Sequence, residues 1–217
     1  MAAPLYPELA GYVDQLLAEQ DWIPAERQHR LRQLGRYVHE RADRTAALVF
    51  ICTHNSRRSH LAQIWAAVAA HHFGLDYVRT YSGGTEATAF NPRAVAALNR
   101  SGFRIETPGG DNPHYRLYFA PPIAPIAIGG TAPPLECWSK TFDDPANPTT
   151  DFAAVMTCSE ADTNCPFIPG ADRRIALPYE DPKETDGTPA EADRYDERVR
   201  QIGRELLFAL KVARDSF

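Results

Sequence analysis

The fold is most constrained by an apolar run that ends at a cysteine and leads through a short polar loop into a helical stretch. The run AALVFIC covers Ala46–Cys52, and its length and β-branched content predict a buried strand. From Ser59 the stretch SHLAQIWAAVAAHHF carries apolar residues at helical spacing, and Gly74 is its expected end. A strand that leads directly into a helix is the first half of a β-α-β unit. We therefore expect a parallel sheet with helices packed on it.

The alternation of strands and helices continues along the rest of the chain. A short strand candidate precedes the loop SGGTEATAFN and a helix that opens with a proline, and later apolar runs predict two more buried strands before a long terminal helix. In order, these segments are Tyr77–Tyr81, the helix from Pro92 to Gly102, Phe152–Cys158, Arg173–Tyr179 and Pro189 to about Ala213. The predicted fold is α/β, with three layers and a four-stranded, mostly parallel sheet. Ligands bind such sheets at the carboxyl ends of their strands, and Cys52 lies at one of these ends.

Two regions lie outside this alternation. Residues 1–43 carry apolar residues at helical spacing, such as Leu9 and Val13, and predict an N-terminal extension of two amphipathic helices. These helices are expected to pack on the domain or on a second copy of the chain, which would make a homo-oligomer. The main predicted domain is 44–217. Within it, the stretch from about 107 to 134 is rich in proline and glycine and is expected to be an insertion with at most a hairpin.

Charge and hydropathy argue against several classes of function. With 217 residues and a net charge of −5, the chain lacks the basic composition that nucleic-acid binding normally needs. No apolar run reaches membrane-spanning length, and the first residues lack the pattern of a secretory signal. A cytoplasmic location is therefore expected, where four cysteines are more often reduced or reactive than disulfide-bonded. The seven histidines lack metal-ligand spacing, so no metal site is predicted.

The loop after the first strand has the composition of an oxyanion site. Six residues separate Cys52 from Ser59, so the backbone N–H groups of the loop can converge, and the helix N-terminus adds partial positive charge. The same field, with the guanidinium of Arg58 and the hydroxyl of Ser59, favours a thiolate on Cys52, the predicted nucleophile. The planar fork of Arg58 can hold two oxygens of a trigonal-bipyramidal transition state. The residues expected to bind the oxyanion are Thr53, His54, Asn55, Ser56, Arg57 and Ser59.

The segment VFICTHNSRRSHLAQ resembles the nucleophile loop of the low-molecular-weight tyrosine phosphatase superfamily. The segments SGGTEA and NPRAVAALNRSGF resemble the second strand, the following loop and the second helix of that superfamily. Two positions depart from the family pattern. His54 stands where the family usually has glycine, and Arg57 stands where it commonly has a second cysteine. Arg57 is expected to add local positive charge, which would favour a dianion.

A second segment, VMTCSEADTNCP, resembles the redox segment of the thioredoxin-coupled arsenate reductases, a branch of the same superfamily. This resemblance implies a relay of three thiols. Cys52 would attack arsenate, Cys158 would displace arsenite by forming a disulfide with Cys52, and Cys165 would then form a Cys158–Cys165 disulfide. A thioredoxin-like reductant would reduce that disulfide, and no tightly bound cofactor is implied. Cys137 has no partner in this scheme and is expected to be a packing residue.

The resemblance also implies a general acid that protonates the departing oxygen. Asp181, in YEDPKETDG, resembles the acid loop of the family in order and spacing. Asp144 also precedes a proline, but it lies before the strand of Cys158 and is expected to form a turn.

Three functions remain open from the sequence. A thioredoxin-dependent arsenate reductase is favoured by the CSEADTNCP segment and by Lys183-Glu184, where phosphotyrosine-specific relatives often have aromatic residues. A hydrolase of phosphotyrosine or small phosphomonoesters is favoured by His54, by Arg57 and by the added segments. The third function, from another class, is a non-catalytic anion-binding module whose N-terminal helices bind a partner.

Overall fold

The computed structural model describes residues 3–121, 134–165 and 167–216. The helices are α1 (Pro7–Ala18), α2 (Ala25–His39), α3 (Arg58–Phe73), α4 (Pro92–Arg100), α5 (Ser159–Asn164) and α6 (Glu191–Asp215). The strands are β1 (Ala46–Cys52), β2 (Val78–Gly84), β3 (Arg104–Glu106), β4 (Tyr115–Tyr118), β5 (Leu135–Cys137), β6 (Phe152–Met156) and β7 (Ala171–Ala176). Short 3-10 helices occupy Gln20–Trp22 and Pro182–Thr185. In the described ranges no helix is both long and apolar enough to cross a membrane.

Four parallel strands form the central sheet in the order β2-β1-β6-β7. This confirms the predicted four-stranded parallel sheet. Side chains of β1 alternate between two apolar clusters, with Leu48 and Phe50 facing the cluster of α1, α2, α3, α4 and α6. Val49 and Ile51 face a smaller cluster that includes α5. Helices on both faces bury every residue of β1, which explains its uninterrupted apolar sequence.

The two N-terminal helices are part of the main core. Leu9 of α1 and Leu34 of α2 are fully buried in the same cluster as Phe50 of the central sheet. At Gly35, a Cβ atom would lie 2.6 Å from the carbonyl oxygen of Ala209, so this close approach of α2 to α6 requires glycine. The predicted packing of these helices on the domain is confirmed, while association of two copies stays a prediction.

A second, three-stranded antiparallel sheet follows α4, in the order β3-β4-β5. In the described part of the predicted insertion, 107–134, there is one strand, β4, which pairs with a strand on either side of that range. Both flanking strands have only three residues, which is too short for a readable alternation. The remainder of the predicted insertion, 122–133, lies outside the described residues. Cys137 is fully buried in β5, as expected of a packing residue, and burial raises the pKa of its thiol to about 12.

A fully buried histidine makes the fold sensitive to acid. His60 of α3 stacks on Phe90 with ring centroids 4.1 Å apart, and its Nδ1 lies 3.2 Å from the Ser82 hydroxyl. Burial, and then the nearby charge of Lys140, hold the pKa of His60 well below its ordinary value of 6.5. Below pH 6.5, His60 becomes protonated in the unfolded chain but stays neutral in the folded chain. The free energy of unfolding should therefore decrease as the pH falls from 6.5 towards the folded pKa, by up to about 1.4 kcal/mol per pH unit.

This prediction is checked by urea unfolding of the wild type and of His60→Phe at a series of pH values between neutral and mildly acidic. The variant keeps an aromatic ring against Phe90 but has no titratable group. Its free energy of unfolding should fall less steeply with decreasing pH. Equal pH slopes for the two proteins would show that His60 does not cause the acid sensitivity.

Candidate active site

The predicted nucleophile loop lies between β1 and α3, at the carboxyl ends of the central strands. Neighbouring segments of the chain donate hydrogen bonds to the backbone carbonyl groups of the loop. Thr85 N donates to Cys52 O (3.1 Å), Glu86 N to Thr53 O (2.9 Å), Ser139 Oγ to His54 O (3.0 Å) and Asn91 N to Ser56 O (2.9 Å). Because these carbonyls are turned outward, the N–H groups of the loop are left for a ligand at its centre, together with the N-terminus of α3. The sequence pattern did not reveal the outer donors, because they come from distant loops.

A chain of hydrogen bonds fixes the hydroxyl next to the nucleophile. Asn55 has a positive φ of 43°, and its Oδ1 accepts a bond from Lys140 N at 2.9 Å. This contact sets the orientation of the amide, so Asn55 Nδ2 donates to Ser59 Oγ at 2.8 Å. The Ser59 hydroxyl lies 3.1 Å from Cys52 Sγ. Since its oxygen already accepts from Asn55, its proton is available to the sulfur.

Arg58 and Asp181, the predicted oxyanion-binding arginine and general acid, meet beside the loop. Arg58 Nη1 donates to Tyr179 O at 3.1 Å and Nη2 to Asp181 Oδ2 at 2.9 Å. Its buried Nε has no hydrogen-bond partner among the described residues, which leaves a donor for an oxyanion. Asp181 also accepts from Lys183 N at 3.1 Å and so caps the 3-10 helix that follows. Asp144, by contrast, accepts from the N–H two residues later and forms the expected turn.

The side chain of Arg57, which was expected to bind the oxyanion, contacts Tyr195 and two carboxylates. Its Nε donates to the Tyr195 hydroxyl at 2.9 Å, and the Tyr195 hydroxyl donates to Asp186 at 2.9 Å. Arg57 also forms ion pairs with Asp186 at 3.5 Å and with Asp181 at 3.8 Å. Both carboxylates are shared with other arginines, Asp181 with Arg58 at 2.9 Å and Asp186 with Arg93 at 3.8 Å. The side chain of Arg57 ties the nucleophile loop to the segment of Asp181 and to α6, and its expected effect on dianion binding stays a prediction.

His54 is accommodated at the rim of the loop. Its side chain is 41% exposed and its Nε2 lies 3.0 Å from Glu86 Oε1. Asn55, and not His54, has the positive φ of the turn, so the loop tolerates a side chain where the family usually has glycine. The backbone of β2 approaches the loop closely at Gly84, where a Cβ atom would lie 2.6 Å from Thr53 O.

The structure brings Cys158, but not Cys165, next to the loop. Thr157 N, at the end of β6, donates to Ile51 O at 2.7 Å, so Cys158 follows directly beside the end of β1. Cys158 is fully buried and caps α5 through a 3.3 Å bond from Ala161 N. Cys165 lies at the opposite end of α5 and is partly exposed. The six residues of α5 lie between them, so their Cα atoms are roughly 10 Å apart. A disulfide needs a Cα–Cα distance of about 4.4–6.8 Å.

Residues 47–110, from β1 into the second sheet, match the family described as low molecular weight phosphotyrosine protein phosphatase. Arsenate reductases of Bacillus licheniformis and Bacillus subtilis are each 28% identical over 160 residues, which is 73% of this chain and 91% of theirs. The chain is thus similar to the low-molecular-weight phosphotyrosine phosphatase family around its nucleophile loop, and to arsenate reductases over most of its length. The protein is an enzyme, as predicted, and the matched segment contains the whole nucleophile loop.

A solved structure of a YwlE mutant from Bacillus subtilis aligns with 77% of the chain and 97% of its own length, at 16% identity and a TM-score of 0.49.

Proposed function

We propose that this protein is an arsenate reductase that uses Cys52, Cys158 and Cys165 in sequence. The observation that carries the proposal is the position of Cys158, which is buried at the end of the strand next to that of Cys52. A second thiol at this point can reach the sulfur of the nucleophile. Relatives named arsenate reductase that match over most of the chain support the same reaction.

In the first step, the Cys52 thiolate attacks arsenate held by the loop N–H groups and by Arg58. An S–As bond forms, one As–O bond breaks, and the departing oxygen leaves as water after protonation, in which Asp181 is the proposed acid. The 2.9 Å contact of Asp181 with Arg58 places the carboxylate beside the group that orients the oxyanion.

In the second step, Cys158 attacks the sulfur of Cys52. The S–As bond breaks, its electron pair stays on arsenic, and arsenic is reduced from the +5 to the +3 state as arsenite leaves. The two thiols are oxidised together to a Cys52–Cys158 disulfide.

In the third step, Cys165 attacks Cys158 and releases Cys52. The two sulfurs lie at opposite ends of α5, so this helix must unwind for the Cys158–Cys165 disulfide to form. At the C-terminal end of α5, Arg174 donates to Cys165 O at 3.3 Å and pairs with Asp162 at 2.6 Å, and these contacts must be released. A dithiol reductant of the thioredoxin type then restores the thiols.

Hydrolysis of phosphomonoesters is the second candidate. It is favoured by a specific observation: Cys52, Arg58 and Asp181 are assembled without any rearrangement, whereas Cys165 is distant from Cys158. The non-catalytic module is not favoured, because an interaction role does not account for the donor that Arg58 Nε leaves open or for the hydroxyl directed at Cys52.

The test separates the two reactions. Purified protein with thioredoxin, thioredoxin reductase and NADPH should consume NADPH when arsenate is added. Cys165→Ser should release a single equivalent of arsenite and then stop, Cys158→Ser should release none, and the packing variant Cys137→Ala should behave as wild type. Should arsenate cause no NADPH loss while Cys158→Ser and Cys165→Ser hydrolyse p-nitrophenyl phosphate as well as wild type, the hydrolase replaces the reductase.

A further inference from the structure

A second cleft, with a volume of about 510 Å³, lies where the N-terminal extension meets α6 and the segment that precedes Asp181. The chain has a net charge of −5, yet the side chains that line this cleft include four arginines: Arg27, Arg198, Arg200 and Arg204. Cations that concentrate in a cleft against the overall charge of a protein attract anions to it.

We infer that this arginine cleft is a binding site for a mononucleotide, whose phosphate replaces Glu180 on Arg198 and whose base stacks on Trp22. The inference goes beyond the proposed reaction and does not depend on it. The described residues that line the cleft do not include Cys52, Arg58 or Asp181.

Arg198 is the buried cation of the cleft, and its charge is weakly compensated. The residue is 3% exposed, and its Nε has no hydrogen-bond partner among the described residues. Its Nη1 donates to Gln201 and its Nη2 to Glu180 Oε2 at 3.3 Å, but the Glu180 side chain is 77% exposed and is shared with Arg194 at 3.5 Å. Burial lowers the pKa of the Arg198 guanidinium. A better anionic partner would therefore stabilise this buried charge.

The other arginines of the cleft are also incompletely paired. Arg200 and Arg204 both pair with the single carboxylate of Glu19. Arg27 pairs with Glu205 through Nε at 2.8 Å, while its buried Nη2 has no hydrogen-bond partner in the described part of the chain. In and beside the cleft, five arginines thus share four carboxylates: Arg27, Arg194, Arg198, Arg200 and Arg204 with Glu19, Glu180, Glu197 and Glu205.

The two glutamates that line the cleft leave room for an added anion. Glu180 and Glu197 each form an ion pair with Arg194, at 3.5 Å and 2.8 Å. Glu180 can therefore leave Arg198 and keep Arg194 as a partner. A phosphate dianion brings more charge and more acceptor oxygens than the carboxylate that it replaces, so it is favoured over another carboxylate.

An exposed indole supplies the second half of the site. Trp22 is 67% exposed and is one of two large apolar side chains that the described chain leaves in solvent. It lines the same cleft as Arg198, and the Arg204 guanidinium lies 5.8 Å from the centroid of its ring. Nucleobases stack on aromatic rings of this kind. A planar base joined to a phosphate therefore matches both features of the cleft.

Equilibrium dialysis of radiolabelled AMP against the full chain tests the inference. The Cys52→Ser variant serves as the parent protein, so that the phosphate is not hydrolysed at the nucleophile loop. A single AMP should bind per chain. Ribose 5-phosphate lacks the base and adenosine lacks the phosphate, so each should bind roughly 10-fold or more weakly than AMP.

Variants separate the two halves of the site. Trp22→Ala should weaken AMP binding roughly 10-fold and leave ribose 5-phosphate unchanged, whereas Arg198→Gln should weaken both. Glu180→Gln removes the competing carboxylate at constant size and should tighten AMP binding roughly 2- to 5-fold, a gain that a misfolded variant would not show. Arg100→Gln, which removes an exposed arginine outside the cleft, should bind AMP as the parent does.

The inference is overturned if the parent binds no AMP, or if it binds either fragment as tightly as AMP. It is also overturned if Trp22→Ala and Glu180→Gln both keep the AMP affinity of the parent. Loss of AMP binding in Arg58→Lys, with full binding in Trp22→Ala, would place the nucleotide in the nucleophile loop and refute the cleft. The proposed reductase is tested separately, by NADPH consumption with arsenate.

Discussion

Arg58→Lys is expected to lower kcat/KM roughly 10³-fold, for arsenate reduction and for hydrolysis of p-nitrophenyl phosphate alike. Lysine keeps the positive charge but loses the planar fork, so it cannot hold Tyr179 O and Asp181 while also donating to two oxygens of a transition state. The measurement is steady-state kinetics with either substrate. Because both candidate reactions use the same oxyanion site, the expected loss does not depend on which of them is correct.

The adjacent arginine provides a matched control. Arg57 carries the same charge one residue earlier, but its guanidinium is bonded to Tyr195 and paired with Asp186. Arg57→Lys should therefore cause a much smaller loss, through looser positioning of the Asp181 segment. Equal losses for the two variants would contradict the assignment of Arg58 as the oxyanion-binding arginine.

Removal of residues 1–43 is expected to abolish folding of the chain. Eight apolar side chains of this segment are almost completely buried: Leu9, Val13, Leu16, Ile23, Leu31, Leu34, Tyr37 and Val38. At about 1.5–3 kcal/mol for each large buried apolar side chain, their loss amounts to on the order of 10–20 kcal/mol. The total stability of a domain is only about 5–15 kcal/mol. The truncated chain would also expose the face of α6 that α1 and α2 cover.

Circular dichroism and thermal unfolding of the truncated and full chains test this expectation. A pair of point variants on α2 shows the same effect in graded form. Leu34→Ala should cost about 2–5 kcal/mol of unfolding free energy because it leaves a cavity in the core, whereas Arg30→Ala, on the exposed face, should change it by less than about 0.5 kcal/mol. Cooperative unfolding of the truncated chain at the wild-type temperature would show that residues 1–43 are a separate extension.

The parts of the active site that could be predicted are those encoded in one short stretch. Cys52, Arg58 and Ser59 lie within a single strand, loop and helix, so local hydrogen bonding and apolar spacing were enough to place them. Asp181 was predicted from its resemblance to a family segment, and the structure places it beside Arg58. The central sheet was predictable for a similar reason, since strands buried on both faces carry continuous apolar runs.

The sequence by itself therefore determined the parallel sheet and the loop that joins Cys52 to α3, because each depends on neighbours along the chain. Tertiary structure alone decided which way Thr53 and Arg57 point and where their hydrogen bonds end. Their partners, Cys158 and Tyr195, lie 105 and 138 residues away. A side chain that can bond in several directions takes the one in which folding places a partner, and contacts over such separations leave no periodic signal in the sequence.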